Sequence, residues 1–125
     1  MQRLYIVYYR SIYRHVTIYN APQQLFDEAL KALASPVRRK ILADLRAPEQ
    51  HFPGQAHPYA LGVCAGKIEA ACGLSQSTVS AHLAHLHLAG LLRAQKIGQF
   101  TFYQRDEAAI AAFLAWLNDD LHPAL

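Results

Sequence analysis

The residues best suited to chemistry in this chain are the short polar ones that follow Gly73. In Gly73-Leu74-Ser75-Gln76-Ser77-Thr78-Val79-Ser80-Ala81-His82-Leu83-Ala84-His85-Leu86, hydroxyls, one amide and two imidazoles are interleaved with apolar residues. Gln, Ser, Thr and His can hydrogen-bond base edges or phosphates, and small side chains let a helix approach a groove closely. A plain solvated helix face would carry more Glu and Lys. The chemistry suggested is recognition of double-stranded DNA, with Gln76, Ser77, Thr78, Ser80, His82 and His85 as candidate contacts.

The elements that must position these groups can be read around them. Gly73 can take a left-handed backbone and end a helix. Ser75 can then cap the next one, and Val79, Leu83 and Leu86 recur at helical spacing on its buried side. Upstream, Ala65 to Cys72 reads as a first helix that buries Ile68 and Ala71, so the pair forms a helix-turn-helix. Downstream, Gly90 ends the second helix. Leu91–Gln95 and Gln99–Arg105 read as two strands, the latter alternating Phe100, Phe102 and Gln104 with Thr101, Tyr103 and Arg105. Lys96-Ile97-Gly98 supplies the turn. A hairpin directly after a recognition helix is a wing, and Arg93, Lys96 and Gln99 are its candidate DNA contacts. The expected fold is mainly α with a small β-hairpin wing, a winged helix-turn-helix.

The flanking segments read as support. Asn20-Ala21-Pro22 suits a helix start, with Asn20 as cap. A helix over Gln23–Ala34 would bury Leu25, Phe26, Leu30 and Leu33. Ser35 caps a further helix over Pro36–Leu45 that buries Val37, Ile41, Leu42 and Leu45. Its Arg38, Arg39 and Lys40 have two readings, a phosphate-binding patch or a solvated helix face. Residues 47–60, rich in Pro, Gly and His, form a loop long enough to be either an insertion or a functional element. A last helix over Asp106–Leu121 carries Ile110, Phe113, Leu114, Trp116, Leu117 and Leu121, an apolar surface too broad for one contact.

Leu33-Ala34-Ser35-Pro36-Val37-Arg38-Arg39-Lys40-Ile41-Leu42, then Gly73 to Leu83, then Ala89-Gly90-Leu91-Leu92, resemble the ArsR/SmtB family of winged-helix repressors over roughly residues 23–120. The resemblance implies a homodimer that binds an operator and releases it when an effector binds. It also implies that the Gln23–Ala34 helix and the last helix pair across a two-fold axis through Leu25, Phe26, Ile110, Phe113, Trp116 and Leu117. The alternative is that Phe113 and Trp116 belong to the core of a single chain. The metal-sensing members of the family carry a Cys-Val-Cys-Asp set, where this chain has Cys64-Ala65-Gly66-Lys67. They also use an Asp-x-His set, where it has Asp106-Glu107-Ala108 and only His122 beyond. Both sets are broken, and a single thiolate holds a soft metal weakly. No metal or cofactor is expected. His51, His57 and Cys64 flank the long loop at no standard zinc spacing, and the simpler reading is exposed loop histidines.

Cys64 is the candidate sensor residue, since a helix N-terminus and a nearby lysine favour thiolate chemistry. Cys72 aligns with a buried apolar position and reads as core. A bridge to it along one helix is excluded, because eight residues rise about 12 Å and a disulfide tolerates about 7 Å between Cα atoms. An intrachain bridge would need Cys64 off the helix, and an intersubunit link is the other reading of Cys64.

Bulk properties bound the rest. With 125 residues the chain is one domain, and its 53% hydrophobic content is high for a small monomer, which favours a subunit interface. Residues 1–20 form a basic, aromatic extension with Arg3, Arg10, Arg14 and five of the seven tyrosines. Two readings stand for it, an arm that reaches DNA or a partner, and a variable extension. Residues 21–121 form the DNA-binding and dimerisation domain. From residue 21 on, nine Lys and Arg balance nine Asp and Glu, so any DNA affinity must come from local rather than total charge. The absence of an apolar run near 20 residues, a poor signal-peptide start and only two cysteines point to the cytoplasm and away from membranes. No nucleophile–base pair or phosphate-binding glycine loop suggests an enzyme. The leading expectation is a homodimeric transcriptional repressor with an unidentified small-molecule or redox effector. The rivals are a winged-helix protein-interaction module with weak DNA binding and a cysteine-based redox-responsive repressor.

Overall fold

The computed structural model describes residues 21–124. The basic aromatic extension and the Asn20 cap lie outside the described residues. The elements run α1 (Ala21–Leu33), α2 (Pro36–Asp44), a one-turn α3 (Pro48–His51), a 3-10 turn over Tyr59–Leu61, β1 (Val63–Cys64), α4 (Ala65–Cys72), α5 (Gln76–Leu88), β2 (Leu92–Ile97), β3 (Phe100–Arg105) and α6 (Glu107–Leu121). The three strands form an antiparallel sheet in the order β1-β3-β2. This is a winged helix-turn-helix.

Local sequence sets most of these boundaries. Ser35 Oγ accepts the Arg38 amide at 3.3 Å and Pro36 occupies the first turn of α2, where its missing N–H costs nothing. Gly73 adopts φ +64° and closes α4, and Ser75 Oγ accepts the Thr78 amide to open α5. Asp106 caps α6 through the Ala109 amide at 3.0 Å. These caps bring α4 and α5 together as the helix-turn-helix.

The core collects Ile41 and Leu42 of α2, Ile68 of α4, Val79, Leu83 and Leu86 of α5, and Leu91 and Leu92 entering the wing. At its other end Phe26 of α1 stacks on Trp116 of α6 with ring centroids 4.7 Å apart, and Phe113 tilts against both. Phe26, Ile110 and Phe113 are thereby buried within the single chain, whereas Leu25, Trp116 and Leu117 are only partly covered. Leu114 and Leu121 of α6 remain largely exposed.

Several expectations need correction. Leu30 is 42% exposed rather than buried, because α1 turns Phe26, Ala29 and Ala32 inward. Ala71 is exposed, and Cys72 instead packs half-buried on the core. The wing turns at Gly98-Gln99, with Lys96 and Ile97 still paired in β2. The segment after α2 is not an open loop, since it contains α3, a 3-10 turn and the unforeseen strand β1. Among the described residues no helix is long and apolar enough to cross a membrane.

Candidate nucleic-acid interface

Helix α5 divides cleanly into two sides. Val79, Leu83 and Leu86 are at most 1% exposed, while Gln76, Ser77, Thr78, Ser80, Ala81 and Ala84 all face solvent. The exposed side holds no Asp or Glu, so nothing on it repels a phosphate backbone. Its hydroxyls are not equivalent. Thr78 Oγ1 lies 2.7 Å from Ser75 Oγ and Ser77 Oγ lies 3.3 Å from the same atom, so both can join the cap. Ser80 and Gln76 make no side-chain hydrogen bond to the described residues and are the freest groups for a partner.

The histidines are placed differently. Arg38 Nη1 lies 3.2 Å from His82 Nδ1. A guanidinium can only donate, so Nδ1 must accept and the ring proton sits on Nε2. Burial holds the His82 pKa below its ordinary value, aided by the positive charge of Arg38 and by His85. The neutral ring is therefore the form that fits here. His85 is half-buried beside it. His87 Nδ1 lies 3.1 Å from the Leu92 carbonyl, at the junction with the wing.

Arg38 has a role that spacing did not reveal. Its Nε donates to the Ala32 carbonyl at 2.7 Å and its Nη2 to Lys31 at 3.2 Å, while Arg39 donates to Leu33 at 2.6 Å. These are last-turn carbonyls of α1, which have no partner within that helix. Arg38 thus ties the end of α1 to the recognition helix. Lys40 is paired with Asp44 at 2.9 Å on the surface. The Arg38-Arg39-Lys40 run serves the protein's own structure in this arrangement.

The wing lies beside α5. Lys96 and Gln99 are exposed near its tip, and Arg93 sits at its root with Nη2 donating to Gln104 Oε1 at 3.2 Å. One face of the hairpin is covered by the segment that precedes β1. His57 stands against Phe100 and Phe102 at 5.0 and 5.1 Å, and Phe102 is 1% exposed. Gln55 pins that segment by donating to the His57 and Gly62 carbonyls and accepting the Cys64 amide, all within 3.0 Å. Tyr59 adds a 2.6 Å bond to the Phe52 carbonyl, and Lys67 reaches Pro53 at 3.2 Å. Gly62 has φ +106°, and a side chain there would strike the Tyr103 carbonyl at 2.8 Å. None of this bracing was foreseen. The spacing of Gln55, His57 and Tyr59 matches no motif.

The sensor candidates are scattered. Cys64 and Cys72 are free thiols at opposite ends of α4. Burial pushes the Cys72 thiol pKa up, as does Asp44, against the opposing pull of Lys40. His51 Nδ1 lies 3.6 Å from Asp44, while the His57 ring packs on phenylalanines. Among the described residues no three His, Cys, Asp or Glu gather as a metal site.

A model of the arsR family of bacterial regulatory proteins matches residues 63–94, from β1 through the helix-turn-helix into the wing. An uncharacterized HTH-type transcriptional regulator of Bacillus subtilis, YbzH, is 38% identical over 96 residues, which is 75% of this chain and 96% of that protein. In fold, the chain matches the crystal structure of an ArsR family transcriptional regulator with a TM-score of 0.61 at 19% identity, over 78% of this chain and 88% of the other. It also matches the solution structure of Mb0332 from Mycobacterium bovis, a homodimeric winged helix-turn-helix DNA-binding domain. There the TM-score is 0.53 at 25% identity, covering 82% of this chain and 84% of that one.

Proposed function

The chain belongs to the ArsR family of transcriptional regulators, and from that premise we propose that it is a sequence-specific repressor. It acts as a cytoplasmic homodimer on an operator and leaves DNA when an effector binds. The observation that carries the reading is the exposed side of α5, with Gln76, Ser77 and Ser80 outward, no acidic group, and the Lys96–Gln99 wing tip alongside. Two such helices enter successive major grooves about one helical turn apart. Gln76, Ser77, Thr78 and Ser80 read base edges, and His82 and His85 lie near the phosphates. Arg93, Lys96 and Gln99 of the wing meet the backbone or minor groove.

The second copy packs on the partly covered surface of α1 and α6. These two helices carry the partly covered Leu25, Trp116 and Leu117 and the exposed Leu30, Leu114 and Leu121, with Phe26, Ile110 and Phe113 buried. The Mycobacterium bovis neighbour, a homodimer of the same fold, supports a two-fold assembly. Cys64 is the one thiol at a helix start and stands as the redox candidate for the effector step. Oxidant that changes DNA binding equally in wild type and Cys64→Ser removes it.

The test is fluorescence-anisotropy titration of DNA from the gene's own upstream region against scrambled DNA, over a salt series. The expected result is preferential binding of two protomers, weakening as salt rises. Weak and equal binding to both DNAs, together with a stable partner protein, would instead favour a protein-interaction module.

A further inference from the structure

Beside the wing, α3, the 3-10 turn, β3 and the start of α6 line an open cleft of about 230 Å³. Its walls include Leu45, Pro48, Tyr59, Val63 and Tyr103, and Arg93 stands at its edge. A second hollow of about 200 Å³, lined in part by Leu61 and Phe102, lies on the other side of the Arg93–Gln104 pair. The first cleft is smaller than the roughly 300–1,000 Å³ of drug-sized pockets, so it suits a molecule of metabolite size.

The charges and donors define what would fit. Arg105 reaches both Glu107 oxygens, at 2.7 and 3.3 Å, and also the Leu42 carbonyl, so this pair presents no net charge. Arg93 has no carboxylate partner among the described residues, and its one hydrogen bond there goes to a neutral amide. The cleft thus carries one net positive charge. The Tyr103 side chain packs against the core side of the sheet, and burial pushes its hydroxyl pKa up. A planar guanidinium matches a carboxylate in two parallel bonds. Aromatic and aliphatic walls suit a flat apolar body. The wall formed by residues 52–62 is already fixed by Gln55 and Tyr59, so binding need not order it.

We propose that this cleft binds a small aromatic monocarboxylate, whose carboxylate pairs with Arg93. Such a ligand takes Arg93 away from Gln104, whose Nε2 also donates to the Ala60 carbonyl at 2.8 Å. Occupancy therefore changes the tie between the wing and the segment that braces it. The use of the cleft as the effector site rests on the regulator reading; the binding itself does not.

The test is an NMR titration of the full chain, isotope-labelled and free of DNA, with benzoate and with its neutral counterpart benzamide. Saturable shifts centred on Tyr59, Gly62, Tyr103 and Gln104 are expected with benzoate, with benzamide about tenfold weaker. Arg93→Gln should lose about tenfold in benzoate affinity while retaining wild-type melting. Arg93 is exposed, so its replacement leaves the core intact. No saturation with millimolar benzoate, equal binding of benzamide, or full affinity in Arg93→Gln would overturn the site. Benzoate binding with no operator binding would sink the regulator reading and leave the cleft standing. Operator binding without benzoate binding would do the reverse.

Discussion

The recognition helix and the segment that braces the wing lie in one small domain, yet they treat their polar groups in opposite ways. In α5 the apolar side is sealed into the core, while the exposed Gln76 and Ser80 make no side-chain hydrogen bond to the described residues. In residues 52–62 the polar groups turn inward: Gln55 alone makes three hydrogen bonds, Tyr59 two, and His57 lies on two phenylalanines. Groups whose partners are internal specify shape, and groups left without one are available to another molecule. The outer face of α5 is thus open to a partner, and residues 52–62 are bound into the fold against the wing.

The sharpest way to break this contrast is to attack the sealed side of α5. Leu83→Ala removes a side chain that is 1% exposed and belongs to the core. It should cost about 2–5 kcal/mol of unfolding free energy, read by urea denaturation. A loss below that range would mean that α5 is not anchored by its apolar face.

Next come the outward hydroxyls. Ser77→Ala with Ser80→Ala should leave stability within about 0.5 kcal/mol, because both residues are exposed. Operator affinity should fall roughly tenfold to a hundredfold, the range for lost base contacts. Unchanged anisotropy titrations would refute the assignment of these serines to the groove.

On the bracing side, Gln55→Ala leaves the Cys64 amide and two carbonyls without their side-chain partner. The expected cost is about 1–2 kcal/mol, with faster amide exchange concentrated in β1 and the 59–62 turn. If exchange there is unchanged, Gln55 is an ornament and the brace is held by His57 and Tyr59.

How far the sequence disclosed these regions follows from the range of the forces involved. The helix-turn-helix was legible because its signals are local: Gly73 at φ +64°, the Ser75 cap, and a buried repeat within one helix. The Ser35-Pro36 start of α2 was legible for the same reason. The brace was not, because Gln55 meets Cys64 nine residues on and His57 meets Phe100 and Phe102 across the sheet. A two-residue strand such as β1 has no periodicity to detect and exists only because β3 pairs with it. Arg38 was legible as a cation but not as a tie, since its partners lie six residues back in α1 and 44 ahead in α5. The six apolar residues assigned to the subunit seam illustrate the same limit. Periodicity identified the apolar sides of α1 and α6, but could not separate Phe26 and Phe113, which meet within one chain, from surface positions such as Leu114.

The smallest expected effect tests the one place where the two kinds of polar group meet. His82 lies on the reading helix, yet its Nδ1 is committed to Arg38, which in turn holds the end of α1. Its pKa is lowered in the folded protein, so the folded state resists the proton more than the unfolded chain does. The sign follows from linkage: this site is without penalty above the unfolded value near 6.5. Below it the unfolded chain takes up the proton first, and stability falls until the folded value is passed. Protonation also removes the acceptor lone pair and sets two cations face to face across 3.2 Å. The melting temperature of wild type should therefore drop between pH 7 and pH 5 by more than that of His82→Gln, whose amide oxygen can still accept from Arg38 at any pH. The difference should be small, because the ring is only partly covered and solvent screens the charge. Parallel pH profiles for the two proteins would show that the Arg38–His82 contact does not tie the reading helix to α1.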